Sequence, residues 1–389
     1  MAAYRKAEGN HMAGSTPGKL KDALPFWISL VLIPLLVLAA RNGGWALLLP
    51  PAAVWWLTSA LDGVLGSNSE NPDPNTPDRD LFWYRLITLI WLPVQIALLY
   101  GCLWYVTQSG ALALWEKFGL MFGVGVVTGS VGIVYAHELM HQSTRLERWL
   151  ADLLLATVLY SHFRTEHLLV HHPHVGTTRD AVTARYNEGF HRYFARVLHQ
   201  VPRSAWAAEK AMLARHGLPA TSLKNPFWRY FALQALALGA AWAVGGWAGI
   251  GFFVFQAFVA IWQLELTNYV EHYGLTRKHL GDGKYERVFP HHSWNSDHKV
   301  TNWQFINLQR HSDHHYRPAR RFPLLQTYDA DTAPQLPFGY PLMTMAAMVP
   351  PVWRRIMNPR VRAWRRRYYP EISDWTPYKQ GTLPPPQLR

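Results

Sequence analysis

The sequence predicts an all-α membrane protein: six transmembrane helices carrying a His-rich cap on the cytoplasmic side. Three observations predict it. Apolar stretches of bilayer length recur six times, the Lys and Arg gather on one side of them, and nine histidines in four clusters stand where those stretches end. A mean hydropathy of −0.08 averages two unlike kinds of segment, apolar runs and basic, His-rich connections.

The chain has 389 residues, 49% of them hydrophobic, with 19 Trp and a formal charge of +13. That length allows one large domain or two smaller ones. Its single cysteine, Cys102, lies in an apolar run, which excludes disulfides and Cys-ligated zinc or iron–sulfur sites within the chain. Residues 1–23 form a polar N-terminal segment, and the apolar run after it is too long for a signal peptide. Asn10-His11-Met12 resembles a cloning scar, so residues 1–18 stay outside the fold reading.

A bilayer crossing takes about 20 mostly apolar residues. The first four helices occupy 24–136. Residues 24–40 (LPFWISLVLIPLLVLAA) and 44–65 form a hairpinned pair about Arg41-Asn42-Gly43-Gly44. Residues 81–106 and 112–136 form a second, joined through Thr107-Gln108-Ser109-Gly110. Residues 227–247 and 249–272 form a third, joined at Gly245-Gly246. Core helices of a soluble protein would carry polar faces, which these segments lack. Between and after them lie a 137–226 region, a 273–370 region and a 371–389 tail.

Orientation follows from the positive-inside bias. The short connections near 41–44, 107–111 and 245–248 hold one basic residue, Arg41, whereas the N-terminal flank, 137–225 and 273–389 hold nearly all the rest. Both termini are therefore expected in the cytoplasm. The acidic connection 66–80 (SNSENPDPNTPDRD) is an exception that the other loops outvote. With that topology all four histidine clusters meet on one face.

The clusters are HELMH at 137–141, EHLLVHH at 166–172, NYVEHYGL at 268–275 and LQRHSDHH at 308–315. They supply His137, His141, His167, His171, His172, His272, His311, His314 and His315. Nine imidazoles exceed the first shell of one ion, so two metals are expected. His137 and His141, four apart, project from one helix face as a shared ion requires, and His167 and His171 repeat that spacing. His172 points roughly 100° away, toward a second ion. HELMH also fits the zinc-protease pattern H-E-x-x-H, but that reading explains two of the nine histidines.

Carboxylates flank the ligands. Glu138, Glu166, Glu271 and Asp313 suit the role of accepting the outer ring N–H and fixing the imidazole tautomer, or of pairing with Arg145, Arg164 or Arg310. Glu265, seven residues before His272 and within an apolar helix, is expected to face a site or cavity. His162, His174, His291, His292 and His298 are candidate outer donors, and His191, His199, His216 and His279 are expected at the surface.

These motifs resemble the integral-membrane alkane monooxygenases, within the membrane desaturase–hydroxylase class that carries histidine-box di-iron sites. HHSWNSDH at 291–298 and LDGVLG at 61–66 resemble the family too, and the likeness runs from about residue 24 to 360. Leu168-Leu169-Val170 and Gln142 depart from the family's pattern without touching a ligand. The resemblance implies two non-haem irons that use O₂ to convert a terminal methyl group into a primary alcohol, in a bacterial inner membrane. It implies rubredoxin as electron donor, reduced from NADH by rubredoxin reductase. No flavin, haem or iron–sulfur motif lies in the chain itself.

Medium-chain n-alkanes are the expected substrates, reaching the irons from the lipid. Trp55, Trp56, Leu61, Leu264 and Leu266 are the candidate lining, with a bulky aromatic in the second helix limiting chain length. The basic face, including Arg362, Arg365, Arg366 and Arg367, suits an acidic protein or anionic lipid. No nucleic-acid partner is expected. Gly381-Thr382-Leu383-Pro384-Pro385-Pro386 reads as a linker start, as toward a fused rubredoxin module. Two other enzyme readings are a fatty-acyl desaturase or hydroxylase and an aromatic-methyl hydroxylase. A membrane metal transporter or metal-binding protein would place its ligands along a transmembrane path instead of at one face.

Overall fold

The computed structural model describes residues 18–386. Its first half comprises α1 (Leu20–Asn42), α2 (Gly44–Leu65), α3 (Asp78–Gln108), α4 (Leu114–Met140), α5 (Arg145–Ala156), α6 (163–174) and α7 (Phe190–Arg215). Then follow α8 (Phe227–His272), α9 (Lys299–Gln304), α10 (His311–Tyr316), α11 (Tyr340–Ala347), α12 (Pro350–Tyr368) and α13 (Thr376–Gln380). The one sheet among the described residues is a two-stranded hairpin, β1 (His279–Gly281) with β2 (Lys284–Tyr285).

Five helices, α1 to α4 and α8, are long and apolar enough to cross a membrane. The chain is an all-α membrane protein. The expected fifth and sixth stretches are two limbs of α8, which breaks at Gly245 and Gly246. Gly246 has φ 58°, a left-handed conformation that a side chain would penalise. Tyr100 of α3 reports the reversal: its hydroxyl donates to the Ala237 carbonyl at 2.9 Å and its ring lies 6.0 Å from that of Phe253. Those contacts fall equally far on either side of Gly245, so the limbs form a hairpin.

Helix α4 is the inner helix, 83% buried over its most apolar window against 28% for α1. Small residues bring it close to the second limb of α8: a Cβ on Gly125 would stand 2.6 Å from that of Val259.

The cap rests on α2 through Asp62, the acid of LDGVLG. Its carboxylate accepts hydrogen bonds from the Val300 and Thr301 amides (2.6 and 3.2 Å) and the Thr301 hydroxyl (2.7 Å), capping α9. The acidic connection 66–80 also lies on the cap. Arg310 donates to the carbonyls of Asn68 and Glu70, and Arg321 grips Asp78 with two bonds of 2.8 and 2.7 Å. Arg321 also donates to Glu147 of α5 at 2.8 Å. One carboxylate of the connection, Asp78, thus answers a buried arginine of the cap, while Arg310 is held by the connection's backbone.

Two further expectations change. His279, expected at the surface, is buried, and its Nε2 accepts the Gly283 amide across the hairpin turn. Residues 371–381, read as a tail, pack on the cap: Ile372 and Tyr378 are buried and the Arg365 guanidinium stacks 4.2 Å from the Trp375 ring.

Candidate metal centre

Helix α4 ends in the first cluster, so His137 and His141 leave it on one face. Helix α6 carries the second, and its middle, His167–His171, is a π-helical turn. The second limb of α8 ends at His272, and α10 carries the last cluster, with His311 and His315 on one face and His314 on the next. All nine histidines meet.

They divide into two sets of four: His137, His141, His167 and His314, and His171, His272, His311 and His315. His172 stands between them, its Nε2 2.9 Å from His167 Nε2 and its ring 4.6 Å from that of His315. His167 and His171, which their spacing placed on one ion, fall in different sets. Their rings still share a face, stacked at 5.2 Å, but each joins histidines brought by other helices.

The donors fit a pair of metal ions. In the first set His167 Nε2 lies 2.9 Å from His137 Nε2, 3.0 Å from His141 Nε2 and 2.9 Å from His172 Nε2. A neutral imidazole has one N–H, so it cannot satisfy three such partners with hydrogen bonds. In the second set His311 Nε2 lies 3.1 Å from His272 Nε2 and 3.0 Å from His315 Nε2. Metal–nitrogen bonds of about 2.1 Å at right angles would separate ligand nitrogens by roughly 3 Å. His171 Nε2 and His314 Nε2 are buried with no hydrogen-bond partner. Burial first, and then mostly the neighbouring imidazoles, hold His167, His172, His314 and His315 well below the ordinary histidine range. They are neutral, the form that binds metal.

The carboxylates are placed less evenly than the sequence suggested. Glu271 lies 3.3 Å from His311 Nε2. Glu138 is bonded to Gln142 at 2.9 Å, and Asp313 to Arg320 (2.8 and 2.6 Å), Tyr328 and the Gln326 amide. Glu265 is not among the residues lining the cavity beside the histidines; it accepts from Tyr160, Tyr193 and Asn268. Glu166 is fully buried with neither oxygen hydrogen-bonded, and burial, then Asp180 and Glu265, push its carboxyl well above the usual range. Asp180 escaped the sequence reading. Its Oδ2 accepts from His171 Nδ1 at 3.0 Å, and the Thr183 hydroxyl and Val182 amide fix it in place. The polar run Thr177-Thr178-Arg179-Asp180 just after the second cluster was the available signal.

His291 and His292 converge with Glu286 in a third group. His292 Nδ1 accepts the Phe289 amide at 2.9 Å, so its Nε2 carries the proton and donates to Tyr369 at 2.6 Å. That group is a hydrogen-bonded network without a free lone pair on His292 for a metal. His298 bonds Ser296, and His191 the Met348 carbonyl.

A narrow apolar cavity of about 50 Å³ reaches His137, His167 and His311. Trp55, Ile133, Phe163, Leu264 and Leu266 line it, with Glu271 and Tyr340 also on its wall. Trp56 and Leu61 are not among its lining residues, and Trp56 is 61% exposed.

Residues 109–347 match the family model described as fatty acid desaturase. The chain is 40% identical to alkane 1-monooxygenase 1 of Pseudomonas aeruginosa over 319 residues, 80% of this chain and 82% of that protein. It is 36% identical to alkane 1-monooxygenase 2 of Alcanivorax borkumensis over 350 residues, 88% and 90% of the two chains. The hydroxylase component of the xylene/toluene monooxygenase of Pseudomonas putida is 26% identical over 291 residues, 74% and 76% of the two chains. A multi-pass membrane protein with a histidine-held metal centre and these matches belongs to the fatty acid desaturase family. Within it, the chain is a member of the alkane 1-monooxygenases.

Proposed function

We propose that the chain hydroxylates the terminal carbon of medium-chain n-alkanes, consuming O₂, two electrons and two protons and yielding a 1-alkanol and water. The observation that carries the reading is the apolar cavity opening onto two adjoining four-histidine sets. The nine histidines hold two non-haem irons, which supply the O₂ reduction and C–H oxidation that no side chain can perform. His172 serves the first set, by its 2.9 Å approach to His167. Trp55, Phe163, Leu264 and Leu266 exclude water and align the alkane with a methyl group toward His137 and His311. Glu271 and Tyr340, at the metal end, are placed to hydrogen-bond the product hydroxyl.

Rubredoxin, reduced from NADH by its reductase, delivers the electrons. The chain crosses a bacterial inner membrane six times, with the limbs of α8 counted separately, and holds its termini and metals in the cytoplasm. Supporting that orientation are the basic character of the cap and the contacts that hold the 66–80 connection on it, Arg310 on the Asn68 carbonyl and Arg321 on Asp78.

The test is metal analysis of the purified protein, then octane turnover with rubredoxin, rubredoxin reductase and NADH. Two irons per chain and 1-octanol are expected. An alkene product, or p-xylene hydroxylation with no octanol, would replace the reading with one of its relatives' chemistries.

A further inference from the structure

Helices α7 and α12 begin side by side and leave a cleft of about 540 Å³ that shares no lining residue with the alkane cavity. Arg185, Arg192, Arg354 and Lys379 line it, together with His191 and Glu188. Glu188 is the one carboxylate there, and Arg196 neutralises it at 2.8 Å. Arg192 and Lys379 have no carboxylate partner among the described residues. Arg185 and Arg354 are held by backbone, donating to the carbonyls of Gln380 (2.9 Å) and Asn187 (3.1 Å). These cations are fixed in place yet uncompensated. Burial, then the charge of Arg196, lowers the Arg185 guanidinium below its ordinary range, with Glu188 acting in the opposite sense.

The cleft also sits where the chain turns from apolar to basic. Helix α11 is apolar, lines the alkane cavity with Tyr340, Pro341 and Thr344, and leads into Val349 and Val352, 50% and 45% exposed. Arg354 and Arg355 follow at once. One turn into α7, Phe194 packs at 5.9 Å against Phe258, which is 50% exposed on the second limb of α8. A recess of cations with an apolar lip on a membrane helix suits a ligand that is anionic at one end and apolar at the other. An acidic protein surface would meet cations on a convex face without that lip.

We infer that this cleft binds the phosphate headgroup of an anionic phospholipid, whose acyl chains lie along Val349, Val352 and Phe258. Arg192 and Lys379 supply the free charges, and Arg185 and Arg354 the fixed ones.

The test uses the full chain, delipidated in neutral detergent, with phosphatidylglycerol and phosphatidylcholine of matched chains titrated in. Bound lipid is counted by native mass spectrometry. Phosphatidylglycerol should be retained at least tenfold more tightly than phosphatidylcholine. The Arg192→Gln/Lys379→Gln double variant should lose that preference, while Arg366→Gln/Arg367→Gln, in the exposed run of α12, keeps it. Equal binding of the two lipids, or an unchanged preference in the double variant, overturns the inference. So does displacement by glycerol phosphate at the lipid's own concentration, which would make this a small-anion site. A double variant that binds lipid normally but raises the KM for an acidic electron donor would make it a protein interface, and the lipid site falls.

Discussion

The two histidine sets use the same donor and differ in the carboxylates that touch it. The set of His171, His272, His311 and His315 has two in contact: Asp180 on the outer nitrogen of His171 and Glu271 at His311 Nε2, the nitrogen that faces His272 and His315. The set of His137, His141, His167 and His314 has none bonded to its rings, because Glu138 turns to Gln142 and Asp313 to Arg320. Two divalent ions held by neutral imidazoles would bring four positive charges into a buried site, and the carboxylates in contact with the rings lie on one side. The sets therefore differ in how tightly they hold an ion, with the carboxylate-backed set the tighter.

Removing a ligand gives the largest effect and the sharpest comparison. His141→Ala and His315→Ala should each retain one of two ions and lose alkane hydroxylation. The ion left in His141→Ala should resist a chelator at concentrations that strip the ion left in His315→Ala. Equal resistance would erase the difference between the sets. Next comes Asp180→Asn, which keeps the shape but loses the charge behind His171. It should weaken one ion about 10- to 100-fold by metal analysis, whereas Glu138→Gln should leave both in place.

The cavity touches both sets through His137, His167 and His311, so its far wall is expected to act on substrate and not on metal. Trp55 packs 6.1 Å from Trp262 and narrows it. Trp55→Ser should raise kcat/KM for longer alkanes relative to octane by about tenfold or more. The outward-facing Trp56→Ser serves as the control with an unchanged profile. Smallest is Asp62→Ala, which uncaps α9 at a cost of about 1–2 kcal/mol in stability. Because α9 leads into α10, which feeds both sets, a thermal melt should shift while the metal count stays at two.

Much of this was legible in the chain. The apolar stretches marked every helix long and apolar enough to cross a membrane, and the histidine clusters marked the nine side chains that converge, because both rest on local patterns. The division of ligands was not legible, because His167 and His171 lie on one face of α6 yet fall in different sets, each completed by histidines from other helices. Pairings across long separations were hidden too. The distant partners of Glu265 are Tyr160, on the approach to α6, and Tyr193, on α7, and with Asn268 they turn an expected site residue into a hydrogen-bonded core acid. The same holds for the acidic connection 66–80, an anomaly until Arg310 and Arg321 are seen beneath it.

Arg321 also sets a schedule. Its partners Asp78 and Glu147 lie 243 and 174 residues earlier in the chain, and the clamp they form flanks the loop that follows His315. During synthesis the apolar helices emerge and can enter the lipid long before that clamp can close. The two ions thus have no complete cage until the ribosome is nearly finished. A metal that needs both completed sets is loaded after the apolar helices have been made, so a cell short of that metal would accumulate inserted, empty protein rather than unfolded chain.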